Sequence, residues 1–180
     1  MSVFLETPRL VLRDKRRDDF DFVAALHADP EVMRFIGDGS THPRQELEAR
    51  FFRVLETERG LGHERWDSFK IVERKDDGAP LGHAGLLRCE IDGVPEVEIG
   101  WWLARVAWGR GYATEAALAL RDFAFGELRL DRLSVVLQAE NARSVAVARR
   151  IGGELAGTAE YRGQRVTHYV VRPQPSRSGA

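Results

Sequence analysis

The sequence predicts an α/β protein of the α+β kind, in which a mixed, mostly antiparallel sheet carries helices packed on it. Three observations predict this class. Hydrophobic periodicity gives the element order β-α-α-β-β-β-α-β-α-β-β along the 180 residues. Three strand-like segments follow one another in the middle of the chain with only turn residues between them. Hydrophobic residues make up 43% and charged residues 31%, the balance of a chain with a core and a solvated surface.

The elements follow in order. Arg9-Leu10-Val11-Leu12-Arg13 reads as a short strand after Pro8, with Leu10 and Leu12 on one face. Asp18 or Asp19 offers an N-cap to a helix carrying Phe20, Val23, Ala24 and Leu26 at helical spacing, ending near Asp29-Pro30. Gly37-Asp38-Gly39-Ser40-Thr41-His42-Pro43 is a loop. Residues 44–59 form the next predicted helix, with Leu47, Phe51, Val54 and Leu55 on its apolar side and Gly60 and Gly62 ending it.

The period then shortens to that of strands. Ser68-Phe69-Lys70-Ile71-Val72 alternates, Asp76-Asp77-Gly78 is a turn signal, residues 81–87 are apolar, and Ile91-Asp92-Gly93 turns the chain into a strand over 97–103. Residues 111–125 return to helical period, with Ala113, Ala116, Ala117, Leu120 and Ala124 on one face. Residues 133–137 are a β-branched run suited to a buried strand. Asn141 caps a helix whose apolar positions are Val145, Ala148 and Ile151, and Gly152-Gly153 stops it. Two strands, over 154–161 and 166–171, flank the turn Arg162-Gly163-Gln164. Residues 1–172 are expected to form one domain, and 173–180, polar and rich in Pro and Ser, a flexible tail.

Composition excludes several classes. With 27 basic and 28 acidic groups the formal net charge is −1, against the basic excess of a nucleic-acid surface, so no nucleic-acid partner is expected. No apolar run approaches the ~18 residues of a membrane span, and no membrane partner is expected. The opening Met1-Ser2-Val3-Phe4-Leu5-Glu6 lacks the basic and apolar regions of a secretory leader, so the expected compartment is the cytoplasm. Cys89 is the lone cysteine and His27, His42, His63, His83 and His168 show no zinc-type spacing, so neither a disulfide nor a metal is expected.

The chemistry-bearing stretch runs from Glu96 to Ala117. A strand rich in Trp and Ile leads through a loop into Trp108-Gly109-Arg110-Gly111-Tyr112-Ala113-Thr114-Glu115-Ala116, where a helix begins. The first backbone N–H groups of a helix have no intrahelical partners, and the macrodipole draws anions to them. Gly109 and Gly111 let a phosphate approach the main chain. Two familiar nucleotide motifs fail here. A Walker loop needs Gly-Lys-Ser/Thr, and a dinucleotide fingerprint needs a third glycine where Thr114 stands. A different pyrophosphate ligand remains.

These residues resemble the GNAT superfamily of N-acetyltransferases. Trp108-x-x-Gly111-x-Ala113 matches that superfamily's Gln/Arg-x-x-Gly-x-Gly/Ala pattern at its last two fixed positions and departs at Trp108. Ile99-Gly100-Trp101-Trp102-Leu103 followed by the Trp108 to Ala116 string resembles the ribosomal-protein alanine/serine N-acetyltransferase branch. Thr7-Pro8-Arg9-Leu10-Val11-Leu12-Arg13, Asp29-Pro30-Glu31-Val32-Met33, the strand from Gly82 to Leu86, and Asn141-Ala142-Arg143-Ser144 ahead of Ile151-Gly152 are similar to segments of that branch in the same order. The resemblance covers about 165 residues and implies the GNAT fold.

It also implies acetyl-CoA as co-substrate, with transfer of acetyl to a primary amine by direct attack in a ternary complex and without metal. The acceptor is a protein N-terminus or a small-molecule amine. A non-catalytic acyl-CoA-binding sensor or scaffold of the same fold is the alternative, and a homodimer is an assembly found in the branch. By resemblance, backbone groups of Trp101 and Leu103 pair with the pantetheine arm. Those of Trp108, Gly109, Arg110, Gly111, Tyr112, Ala113 and Thr114 surround the pyrophosphate, and Asn141 and Ser144 lie near the cofactor arm. Arg110 is either a phosphate contact or a solvated surface arginine.

Glu98 is the candidate base, since amine attack on a thioester releases a proton that some group must take. Glu96, on the same strand face, competes with it. The superfamily's tyrosine four residues after position 144 is absent, replaced by Ala148, so Ser144 is the candidate acid for the leaving thiolate, with a water, Tyr112 or no strong acid at all as alternatives. Trp66 and the loop over 37–43 are expected to line the acceptor pocket. His83 is an outside candidate for a substrate contact, and Cys89 is expected to be a strand residue and not a nucleophile.

Overall fold

Alternation along the central strands divides their side chains between two helical layers. The computed structural model describes residues 3–58 and 64–174, and among these eight strands form one sheet. In chain order they are β1 (Val3–Glu6), β2 (Leu10–Arg13), β3 (Ser68–Arg74), β4 (Pro80–Ile91), β5 (Val94–Leu103), β6 (Leu133–Leu137), β7 (Gly153–Tyr161) and β8 (Gln164–Val171). The helices are α1 (Phe20–Ala28), α2 (Pro30–Met33), α3 (Arg44–Glu58), α4 (Tyr112–Gly126) and α5 (Ala142–Arg150). The sheet order is β1-β2-β3-β4-β5-β6-β8-β7, and only β5 and β6 run parallel. Two parallel neighbours need a crossover, and α4 supplies it.

One face carries the main core. Leu10 and Leu12 of β2, Val72 of β3, Ala84 and Leu86 of β4, Ile99 of β5 and Leu133 and Val135 of β6 all pack with Ala116, Ala117, Leu120 and Ala124 of α4. Small residues dominate that helix stripe and let α4 lie close to the sheet. On the other face α1 and α3 cover Ile71 with Phe20, Val23, Ala24, Leu47, Phe51 and Leu55. Two hairpin turns show left-handed pairs, Asp92 (φ 51°) with Gly93 (φ 74°) and Arg162 (φ 51°) with Gly163 (φ 75°). Two successive positive φ values are the geometry that matches the twist of the flanking strands.

The expected element order holds, with additions and shifts that have physical causes. β1 was not expected, because four residues without a turn signal carry little pattern. Its support is tertiary, with Phe4 packing edge-on against Phe123 of α4 at 4.9 Å between ring centres. Short 3₁₀ turns at Arg17–Asp19 and Arg105–Ala107 and the four-residue α2 are likewise extra. Asp29 caps α2 by accepting from the Glu31 N–H at 3.0 Å, and Pro30 stands at its first position.

Asp19 does not cap α1 through its side chain. Its carboxylate takes both ends of the buried Arg13 guanidinium at 2.8 Å and the Arg16 N–H at 2.7 Å. Arg13 also donates to Glu73 of β3 at 2.6 Å. The forked pairing of a buried guanidinium outweighs a cap worth ~1 kcal/mol, because without Asp19 both terminal nitrogens of Arg13 would lose their carboxylate in the interior. Val54 of α3 is exposed, and its neighbour Phe52 packs on the helical layer instead. In α5 the buried position is Val147 beside Ala148, while Val145 is only partly covered. The expected stop at Gly60 and Gly62 lies outside the described residues.

Candidate active site

β5 and β6 are bridged at a single pair, Glu98 opposite Ser134. Toward their C-terminal ends they part, and a cleft of about 1240 Å³ opens there, with Trp101, Trp102 and Leu103 on one side and Asn141 and Ser144 on the other. The Ala104 N–H donates to the Leu81 carbonyl at 2.8 Å. By the two-residue alternation of an antiparallel ladder, Trp102 and Gly100 then exchange bonds with β4, while Trp101 and Leu103 turn their main-chain groups toward the cleft. This wall is a strand edge that is open except at the Leu103 carbonyl, which the Trp108 indole takes.

The floor is the start of α4. Gly111 is left-handed at φ 78° and no side chain caps the helix. The first N–H groups of α4 are thus left without a side-chain acceptor where Gly111, Tyr112, Ala113 and Thr114 line the cleft. A Cβ on Gly109 would meet nothing within 4 Å, so its main chain is open to an approaching group. An anion fits this floor, by charge and by room.

Several side chains hold the floor in place. Arg9 donates to the Arg110 carbonyl at 3.0 Å, lies 4.7 Å from the Tyr112 ring centre, and pairs with Glu115, which also accepts from the Thr7 hydroxyl at 2.6 Å. Burial opposes ionisation of Glu115, but the bonds from Thr7 and Arg9 prevail and hold its carboxyl below the usual range. Trp108 folds its indole back so that Nε1 donates to the Leu103 carbonyl at 2.7 Å, and the Arg143 guanidinium stacks 4.3 Å from its ring centre. One side chain thus ties the end of β5 to the start of α5. Asn141 caps α5, accepting from the Ser144 N–H at 3.1 Å.

Beneath the apex, on the sheet face opposite α4, lies a group of polar side chains. The Glu98 carboxyl is pushed up by burial, against a partial pull downward from the Tyr161 hydroxyl, which donates to its Oε2 at 2.5 Å, and from Arg162. Oε1 lies 3.4 Å from where a Cβ on Gly100 would stand, beside the Phe69 ring. Glu96 is differently placed. Arg132 pairs with it, and Ser134 donates to its Oε2 at 3.1 Å while lying 3.0 Å from His168 Nε2. Their partners separate the two glutamates, an arginine and a serine for Glu96 and a tyrosine for Glu98.

The family model of the acetyltransferase (GNAT) domain matches residues 9–154. The chain belongs to the GNAT acetyltransferase family. It is therefore an acetyl-CoA-dependent acyltransferase. It is 34% identical over 149 residues to YkkB of Bacillus subtilis, covering 82% of this chain and 83% of that protein. The structure of an acetyltransferase from Agrobacterium tumefaciens superposes with a TM-score of 0.74 at 30% identity, covering 94% of each chain. Mycobacterium smegmatis RimJ in complex with CoA-disulfide, at 18% identity, shares the fold with a TM-score of 0.72 over 91% of this chain and 81% of its own.

Within this GNAT chain the structure gathers Trp101, Leu103, Trp108, Gly109, Arg110, Gly111, Tyr112, Ala113, Thr114, Asn141 and Ser144 around one cleft. Glu98 is not on its wall but at its apex. Ala148 is fully buried, and the cleft does not include it. Tyr112 lines the cleft while being mostly buried, and its side chain interacts with Arg74.

The acceptor-side expectations need correction. Glu31, Val32, Arg34, Phe35 and Ile36 line the cleft, not the loop over 37–43. Trp66 is elsewhere, stacked under Arg88 with ring centre and guanidinium 4.5 Å apart. His83 is sealed beneath Trp102, whose ring centre lies 4.8 Å away, and burial holds its imidazole well below its usual pKa. Cys89 is half-buried and its thiol is pushed up to about 11, chiefly by burial and also by Glu98. Sequence reasoning missed Glu31, Val32 and residues 34–36, together with Tyr161 and Arg9. The first were visible only as a helix end, and Tyr161 and Arg9 act across long sequence separations.

Proposed function

We propose that this acetyltransferase moves acetyl from acetyl-CoA to a primary amine, a protein N-terminus or a small molecule, by direct attack within a ternary complex. The observation that carries the reading is the cleft itself, an open strand edge beside an uncapped helix start with a raised-pKa carboxyl at the apex. Bound acetyl-CoA supplies the acetyl group as an activated thioester. The N–H groups at the start of α4 hold the pyrophosphate, and the main-chain edge at Trp101 and Leu103 pairs with the pantetheine arm. Main-chain donors on that edge also stabilise negative charge developing on the carbonyl oxygen.

Glu98 takes the proton that the amine nitrogen must lose. Its carboxyl lies in a site that burial has made more basic than a surface glutamate, nearer to working pH. Ser144, in the first turn of α5 and on the cleft, hydrogen-bonds the departing thiolate and relays to it a proton taken from solvent, its own hydroxyl proton being replaced as it is given up. A thiol that titrates at about 11 is a weak acyl acceptor at neutral pH, which supports direct attack without a covalent stage on Cys89.

Initial rates of CoA release, measured over a grid of acetyl-CoA and a panel of small amines and N-terminal peptides, test the proposal. Intersecting double-reciprocal lines on at least one amine are expected. Parallel lines would mean an acyl-enzyme, and absence of turnover across the panel would remove the transfer reading.

A further inference from the structure

The tip of the β7–β8 hairpin carries a tyrosine that reaches a carboxylate 63 positions away. Tyr161 is the last residue of β7, opposite Gln164, and its hydroxyl donates to Glu98 Oε2 at 2.5 Å. The tip is anchored there twice over. Asp92, in the β4–β5 turn, accepts from the Glu160 N–H at 2.7 Å and donates its own N–H to the Glu160 carbonyl at 3.1 Å. A small apolar cluster of Ile91, Ala159 and Val166, with Cys89, Val136 and Tyr161 against it, fills the space behind. Arg162, set by its left-handed turn, stacks its guanidinium 5.0 Å from the Tyr161 ring centre. None of this is needed to close the sheet, since β7 already pairs with β8 along its length.

We propose that Tyr161 is a positioning residue for acetyl transfer, pinning Oε2 of Glu98 so that Oε1, above the bare Cα of Gly100, is the oxygen presented to the acceptor amine. The inference rests on the reading of Glu98 as base. The proton leaves the amine nitrogen and forms an O–H bond at Glu98 Oε1. Tyr161 keeps its own proton and donates to Oε2 before and after the transfer. Burial and the adjoining Glu98 push the phenol far above its ordinary titration, which suits a donor that never ionises.

Among the described residues, three titratable groups on other segments act on Glu98 or are acted on by it. Tyr161 comes from β7, Arg162 from the hairpin turn, and Cys89 from β4. On β5 itself, Glu96 is neutralised by Arg132 and linked through Ser134 to His168 of β8. Of these, Tyr161 is the one that bonds the Glu98 carboxylate directly, so its loss acts on the charged form of Glu98.

The test is the pH dependence of kcat/KM for an acceptor amine in the wild type and in Tyr161→Phe, which keeps the ring and removes the hydroxyl. Titration of the amine is common to both and cancels in the ratio. Without the donor the carboxylate is less stable, so the ascending limb moves to higher pH by ~1 unit. The variant is then expected to be about tenfold slower below the limb and to approach wild type above it, with KM for acetyl-CoA unchanged. A ratio that is flat with pH, at unity or below, overturns the proposal, because mere damage to packing lowers the rate at every pH.

Glu98→Gln separates the two readings. If it leaves the rate intact, the base assignment fails and the inference with it. If it abolishes the ascending limb while the Tyr161→Phe ratio is flat, only the positioning role fails. Should Tyr161→Phe not fold, 3-fluorotyrosine placed at position 161 is the second probe. A more acidic donor is expected to move the limb to lower pH, and an unmoved limb overturns the proposal.

Discussion

The two sides of the apex are built from different materials. The cleft floor and its strand wall present main-chain groups, from the open edge of β5 and the uncapped start of α4. The Glu98 side presents side chains brought from β5, β6, β7 and β8. A main-chain site tolerates change in its side chains, as Trp108 in place of the superfamily's Gln or Arg illustrates, but not change in its conformation. A side-chain site has the opposite sensitivity, since each group there is one substitution from being lost.

The largest effect expected from this contrast is at Glu98. Glu98→Gln should lower kcat by ~100-fold or more at neutral pH, with KM for acetyl-CoA unchanged in steady-state kinetics. A comparable rise in that KM would mean that the two regions are not separable. On the main-chain side, Gly111→Asp places a negative charge and a Cβ at φ 78°. Calorimetry should show acetyl-CoA affinity reduced by ~100-fold, from backbone strain and repulsion together. Arg110→Ala should change it by less than ~5-fold, because an exposed arginine adds little to a main-chain cradle. If Arg110→Ala matched Gly111→Asp, the floor would be a side-chain site after all.

A substitution between the regions sharpens the comparison. A Cβ at Gly100 would stand 2.9 Å from the Phe69 ring and 3.4 Å from Glu98 Oε1. Gly100→Ala should therefore raise KM for the amine by ~10-fold while leaving that for acetyl-CoA near wild type. Equal rises in both would show that the ring's displacement had spread to the cleft wall.

The smallest effect concerns stability on the side-chain face. His27 and His83 are kept neutral chiefly by burial, His27 with a pKa lowered to about 4 and His83 also lowered. Their folded values lie below the unfolded one, so the unfolded state binds more protons as pH falls. Stability is full above about pH 6.5 and falls below it by up to ~1.4 kcal/mol per pH unit for each histidine. Chemical denaturation between pH 7.5 and 4.5 should show this slope, and His27→Phe should flatten it. An identical slope in the variant would place the acid sensitivity elsewhere.

Much of the cleft was legible because it is contiguous. The strand over 97–103, the glycines at 109 and 111 and the helix after them form one stretch of chain, so local pattern and anion chemistry could be read together. Glu98 was legible as a polar residue on the face opposite Ile99 and Trp101. Its partner was not, because Tyr161 sits across a hairpin and no periodicity links the two. Asp19 shows the same limit in the fold. Its position promises a helix cap, and the buried Arg13 guanidinium, a contact between layers, redirects it.

The amino-acid order by itself determined the order of the longer elements and the start of α4 after Gly111, since periodicity, turn residues and capping act over a few residues. Only the tertiary structure decided which glutamate meets the Tyr161 hydroxyl and which is paired with Arg132. It also decided that Glu31, Val32 and residues 34–36, and not 37–43, wall the cleft. The reason is physical. Burial and hydrogen-bond partners set the chemistry of a carboxyl, and both come from strands that meet only when the sheet has closed.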